Sequence, residues 1–129
     1  MRIIPVFLVT CLITSLSYAY EEPISRGKCF IVKNNAPQKI QKCFISAVGG
    51  AGGIMRSYEI GNDVYANEIY AGSETTPDID RVAKNNSKPL DAKTYYRQDK
   101  TLKIIKNPRN NDWNCIKDSK SISNFCFKY

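Results

Sequence analysis

A hydrolytic mechanism in this chain would have to run on carboxylates, because its 129 residues include no histidine. That absence removes Ser-His, Cys-His and His-metal chemistry together. A glycosidase needs two Asp or Glu side chains across the scissile bond, one of them held protonated. Glu59, Asp63, Glu68 and Glu74 are the available members, and their spacing singles out no pair. They read as solvated carboxylates of hairpins and loops, so no catalytic residue is assigned and the chain is not expected to be an enzyme. A small carboxylate-dependent hydrolase or toxin is the third-ranked reading.

The thiols point elsewhere. Cys29, Cys43, Cys115 and Cys126 form an even set with no CxxC spacing and no histidine to complete a ligand group, so neither a metal site nor a cofactor is expected. Two disulfides are. Lys28–Lys33 and Lys39–Val48 are strand-like runs separated by Asn34-Asn35-Ala36-Pro37, and folding them about Ala36 sets residue 29 opposite 43, 31 opposite 41 and 33 opposite 39. The same operation about Lys120 and Ser121 sets Cys115 opposite Cys126. Local pairing, Cys29–Cys43 and Cys115–Cys126, is favoured over crossed bonds that would tie the termini together, and each staple contributes about 3 kcal/mol in the chain-entropy account.

Such staples need an oxidising compartment, and the first nineteen residues read as the address for one. Arg2 supplies a charged start, Ile3–Thr14 an apolar run, and Ser17-Tyr18-Ala19 a cleavage site with small residues at 17 and 19, so that a signal peptide over 1–19 is expected to precede a single exported domain over 20–129. Lipidation at Cys11 is rejected because that cysteine lies inside the apolar run. No later segment approaches the roughly 18 to 20 apolar residues that a membrane-spanning helix requires, and the product is expected to be soluble, in the periplasm or outside the cell. Removal of the leader takes Arg2 and Cys11 with it and lowers the formal charge from +7 to +6.

The elements that would carry function are short strands. Ile54–Ile60 and Asp63–Tyr70 make a hairpin around Gly61-Asn62, with glycine placed for a type II′ turn. The second of these strands has no cleanly apolar face and reads as near an edge. Thr76 as cap, Pro77 at the first position and Asp78 and Asp80 behind it suggest a short helix over 77–84, with an ordered loop as the alternative. Thr94–Arg97 and Thr101–Ile105 are further strands. The whole reads as mainly β: a small antiparallel sheet, or a partly open barrel or sandwich, built from hairpins with at most one short helix and two disulfides.

Two segments stand out as binding surfaces. Gly49, Gly50, Gly52 and Gly53 fall within five residues, but the following Ile54-Met55-Arg56-Ser57 reads as strand, which fails the helix context of a phosphate loop. Either the run is a plain connection or it protrudes into a partner's cleft, in which case Met55, Arg56 or neighbouring tyrosines must anchor it. The second is basic. Lys93, Arg97, Lys100, Lys103, Lys106 and Arg109 face one acid, Asp99, giving a local charge of +5, and Tyr95, Tyr96 and Trp113 flank them. Trp113 is expected in the core on the last disulfide, leaving Tyr58, Tyr65 and Tyr70 as interface candidates.

In build, an exported, stapled, basic and tyrosine-rich β domain resembles the periplasmic inhibitor and immunity proteins that neutralise cell-wall or membrane-attacking enzymes. That resemblance implies a binding protein that occludes a partner enzyme with an acidic cleft. A module for anionic envelope polymers or lipid head groups is the alternative; nucleic acid is not an expected partner.

Overall fold

Asn34 and Asn35 both take positive φ, 51° and 62°, and Asn85 and Asn86 repeat the pattern at 51° and 60°. Consecutive left-handed residues make type I′ turns, whose twist matches that of the strands they join. At Gly61-Asn62 only the glycine is left-handed, with φ of 62°, as a type II′ turn requires. These turns fix the hairpins of a computed structural model that describes residues 20–50 and 52–129; the expected signal peptide lies outside the described residues.

Ten strands follow in order: β1 (Tyr20–Lys33), β2 (Ala36–Pro37), β3 (Gln41–Gly50), β4 (Gly53–Ile60), β5 (Asp63–Tyr70), β6 (Ile79–Lys84), β7 (Leu90–Arg97), β8 (Ile104–Ile105), β9 (Trp113–Asp118) and β10 (Asn124–Lys128). Eight of them pair antiparallel around a ring, β1-β3-β4-β5-β6-β7-β9-β10, and β10 returns to β1 to close it. The result is an up-and-down barrel. Short β2 extends the first hairpin and short β8 pairs with β7. Closure leaves none of the eight ring strands with an open edge along its paired length, so β5 lies between β4 and β6 and is not the edge strand expected.

Side chains alternate between two cores. Cys29, Cys43, Ile45, Tyr58, Ile60, Tyr65, Val82, Ile116, Phe125 and Phe127 come from seven strands and fill the interior. Their rings pack closely, with Tyr58 4.9 Å from Phe125 and 4.7 Å from Phe127, and Tyr65 4.6 Å from Phe125. A barrel of this strand number has room for side chains or for one small ligand, and here this cluster of side chains packs its middle. The other parity builds a second cluster outside the wall: Phe30, Val32, Trp113, Cys115 and Cys126, covered by Tyr95 and Leu102. Lysines such as Lys28 and Lys42 share that outer face.

Both favoured disulfides are present, Cys29–Cys43 inside the barrel and Cys115–Cys126 outside it, and closed disulfides are products of an oxidising environment. Cys115 and Cys126 are direct partners, as folding about Lys120 and Ser121 requires. The first pair is diagonal. Because the turn centres on Asn34-Asn35 and residues 38–40 form an irregular step, Cys29 lies opposite Gln41 and Cys43 opposite Gly27. The bond still closes over a Cα separation of 5.8 Å.

Two local expectations fail. Residues 79–84 form a strand and not a helix, because pairing with β5 on one side and β7 on the other buries Val82 and Ala83 and closes the ring. Two turns of helix offer nothing comparable. Of Thr101–Ile105, only Ile104 and Ile105 pair as strand.

Candidate functional site

At one end of the barrel the β3–β4 hairpin ends in the glycine-rich run. Gly50 pairs with Gly53 and Gly49 with Ile54, so three of the four glycines are strand residues and Gly52 stands outside the ladder. The paired glycines therefore carry β3 and β4 to the tip of their hairpin. On its outer face Val48 pairs with Met55, and Gly53, Tyr70 and Ile79 form one row across β4, β5 and β6. Val48, Met55, Tyr70 and Ile79 are 47%, 42%, 43% and 38% exposed, and a shallow cavity of about 280 Å³ lies among Val48, the glycines, Met55 and Tyr70. Exposed apolar side chains gathered on adjacent strands mark an interaction surface better than single ones do.

The inner face of the same strands carries a polar group of residues. Arg56 lies between Ala47 and Asn67 in register and shares the inward parity of Tyr58. Its Nε and the Tyr58 hydroxyl are buried without a hydrogen-bond partner among the described residues. Asn67 is better served, donating from Nδ2 to Asp80 Oδ1 at 2.7 Å and to the Arg81 carbonyl at 2.9 Å. Burial drives the Tyr58 phenol well above its usual range, although the nearby Arg56 guanidinium pulls the other way. Tyr65 is pushed up to about 12 by burial, with the Asp63 carboxylate adding to the effect. Tyr58 and Tyr65 are 0% and 1% exposed, so neither is the interface residue expected; strand parity turns both into the core and Tyr70 outward.

The basic stretch is divided in the same way. Arg97 is buried, donating from Nη1 to the Leu102 carbonyl at 2.9 Å and from Nε to the Tyr95 hydroxyl at 3.4 Å, so it organises the chain reversal and presents no charge to a partner. Lys100, Lys103, Lys106 and Arg109 are exposed on the excursion between β7 and β9. Asp112 ties that excursion together by accepting from the Arg109 amide at 2.7 Å and the Asp99 amide at 2.9 Å. These bonds, that to Arg109 first, hold its carboxyl below the usual carboxylate range. No basic stripe with free aromatics results. Tyr95 is partly buried against the outer cluster, while Trp113 packs edge-on to Phe30 at 4.8 Å and donates from Nε1 to the Asp99 carbonyl, the core position expected for it on the Cys115–Cys126 staple.

The structure thus brings together Gly49, Gly50, Gly53, Met55 and Tyr70, and separates from them Arg97, Lys100, Lys103, Lys106 and Arg109. Gly52 joins the tip in the turn, with φ of 80°. Val48 and Ile79 join the patch without having been expected there. Their signal lay in the register, since one pairs with Met55 and the other with Tyr70. At the opposite end a polar cavity of about 550 Å³ is lined by Lys33, Lys84, Lys117, Asp63 and Asn124 among others. Lys84 there pairs with Asp63 at 3.8 Å. Among the described residues no group of three or more His, Cys, Asp or Glu stands close enough to hold a metal ion. Comparison of the chain with protein-family models, with curated proteins and with solved structures returned no match.

Proposed function

We propose that this protein is an exported inhibitor or immunity-type binding protein, acting in the periplasm or outside the cell, whose β3–β4 tip enters and blocks the cleft of a partner enzyme. One observation carries the reading: Val48, Met55, Tyr70 and Ile79 stand exposed together on adjacent strands at the β3–β4 end of the barrel. A hairpin paired up to Gly50 and Gly53, with β3 tied to β1 by Cys29–Cys43, loses less freedom on docking than an open loop, which offsets the entropic objection to glycine at an interface. Gly50 and Gly52, with open space beside them, let the backbone approach a cleft wall where side chains would collide. The formal charge of +6 left once the leader is removed favours encounter with an acidic cleft, and the apolar patch supplies the contact that survives moderate salt.

The test uses the full chain as bait against exported enzymes of the same cell. Support requires a stoichiometric complex, inhibition of the captured enzyme, and loss of both in Met55→Asp and Tyr70→Ser, whereas Lys100→Gln and Lys106→Gln leave them in place. An enzyme captured through the excursion lysines alone, released steeply by salt and indifferent to Met55→Asp, would overturn the tip as the site and favour the anionic-polymer reading.

A further inference from the structure

Lys28 stands directly opposite Lys42 on one side and Lys128 on the other, placing three lysines in one row across β3, β1 and β10. Neighbouring strands are about 4.8 Å apart, and like charges at directly opposed positions destabilise a sheet. Only one of the three is compensated. Lys128 is hydrogen-bonded to Asp99 and lies over the Trp113 ring at 4.3 Å from its centre, whereas Lys28 and Lys42 have no ion pair among the described residues. Arg26, two residues along β1 and sharing the outward parity of Lys28, adds a third cation with no ion pair among the described residues. A groove of about 500 Å³ runs past these groups, and Ile40 and Tyr129, 43% and 69% exposed, give it apolar walls.

We infer that this groove is a binding site for a phosphate monoester, distinct from the hairpin tip. A tetrahedral dianion can accept from ammonium groups on two adjacent strands and from a guanidinium fork at once, which a planar monoanionic carboxylate does less well. Its charge balances the excess left by Arg26, Lys28 and Lys42 once Asp99 is committed to Lys128. The apolar walls suit the carbon skeleton of an ester. Such a group reaches an exported protein either as a soluble sugar phosphate or as the head group of an anionic lipid, and both present the same oxygens.

The experiment follows backbone amides by NMR in the full protein at constant ionic strength, with inorganic phosphate and glucose 6-phosphate as probes and sodium chloride as reference. Saturable shifts centred on Lys28 and Lys42, weakened at least tenfold in Lys28→Gln/Lys42→Gln and unchanged in Lys103→Gln, are expected. Phosphatidylcholine vesicles with and without phosphatidic acid separate the sources. Retention on phosphatidic acid that is lost in the double variant assigns the lipid head group, and phosphate binding without retention assigns the soluble ester. Shifts no larger than those from chloride, a double variant that binds like the parent, or vesicle retention without phosphate binding would each overturn the site. The dichroism spectrum of the double variant checks that the barrel is intact; should it unfold, Arg26→Gln and Lys42→Gln tested singly must each weaken phosphate binding. The tip reading is untouched by failure here, because Met55→Asp does not alter the groove.

Discussion

The ring of Tyr70 lies on the backbone of Gly53, so closely that a Cβ at residue 53 would come within 2.5 Å of its Cδ1. Glycine at this position is what lets an exposed tyrosine lie flat across the hairpin and complete a row with Ile79. The Gly53→Ala substitution therefore displaces a side chain free to move into solvent, and the barrel should lose less than about 1 kcal/mol. Partner affinity should fall as far as in Tyr70→Ala, because both variants remove the same ring from the same place. Paired unfolding and binding measurements check this. A Gly53→Ala variant that binds like the parent would show that the Tyr70 ring is not part of the contact.

The filled interior makes its own prediction at high pH. Tyr65 and Tyr58 hold their protons more tightly folded than unfolded, the first at about 12 and the second higher still, against about 10 in an open chain. The stability they contribute is complete below about pH 10 and is lost as pH rises through the folded values. At about pH 11 the native protein should show two fewer tyrosinates by absorbance than the urea-unfolded chain, and ionisation of the pair should coincide with loss of the barrel's dichroism. Because the Tyr58 hydroxyl is buried without a hydrogen-bond partner among the described residues, Tyr58→Phe should be neutral or stabilising by about 1 kcal/mol at neutral pH.

The disulfides separate chain entropy from packing. Their sequence separations of 14 and 11 residues differ too little for loop closure to distinguish them, and each should contribute about 3 kcal/mol on that account. Their surroundings do differ. Replacing Cys29 and Cys43 by Ala opens a void among Ile45, Tyr58 and Tyr65 inside the barrel, and should cost more than the entropic share. Replacing Cys115 and Cys126 loosens the outer cluster, and Trp113 should report it by a red-shifted emission while Tyr58 and Tyr65 remain protected. An unchanged Trp113 spectrum in the second variant would mean that Phe30 and the Asp99 carbonyl alone hold the indole.

Much of the strand content was legible because alternation and turn chemistry are local. The β4–β5 hairpin was expected to within one residue, and its Gly61 turn followed from residue type alone. Closure was not legible, since it requires β1, fourteen residues long, to pair with β3 on one edge and β10 on the other. The unbroken apolar run Cys29-Phe30-Ile31-Val32 carried a trace of it, because a strand apolar on both parities must be covered on both faces. The candidate site was half legible. Glycines and Met55 stand out by type, but the inward turn of Arg56, Tyr58 and Tyr65 depends on register, and the row of Lys28, Lys42 and Lys128 joins residues from opposite ends of the chain.

Asp118 organises the turn that delivers β10 to its closing position. It is buried, and its carboxylate accepts from the amides of Lys120 at 2.8 Å, Ile122 at 3.0 Å and Ser123 at 2.5 Å, while Ser121 takes a left-handed φ of 58°. Removing the acceptor strands three donors at once, so Asp118→Ala should destabilise the protein by about 3 kcal/mol or more. Asp118→Asn keeps the shape and one acceptor oxygen but turns an amide toward one of the donors, and should cost about 1 to 2 kcal/mol. Denaturant unfolding ranks the variants, and hydrogen exchange locates the effect. Faster exchange at Ile122 and Ser123 should spread through β10 to Phe125 and Cys126, the residues that pair with Ile31 and Phe30 of β1. Were exchange to quicken only within the turn, barrel closure would be independent of this carboxylate.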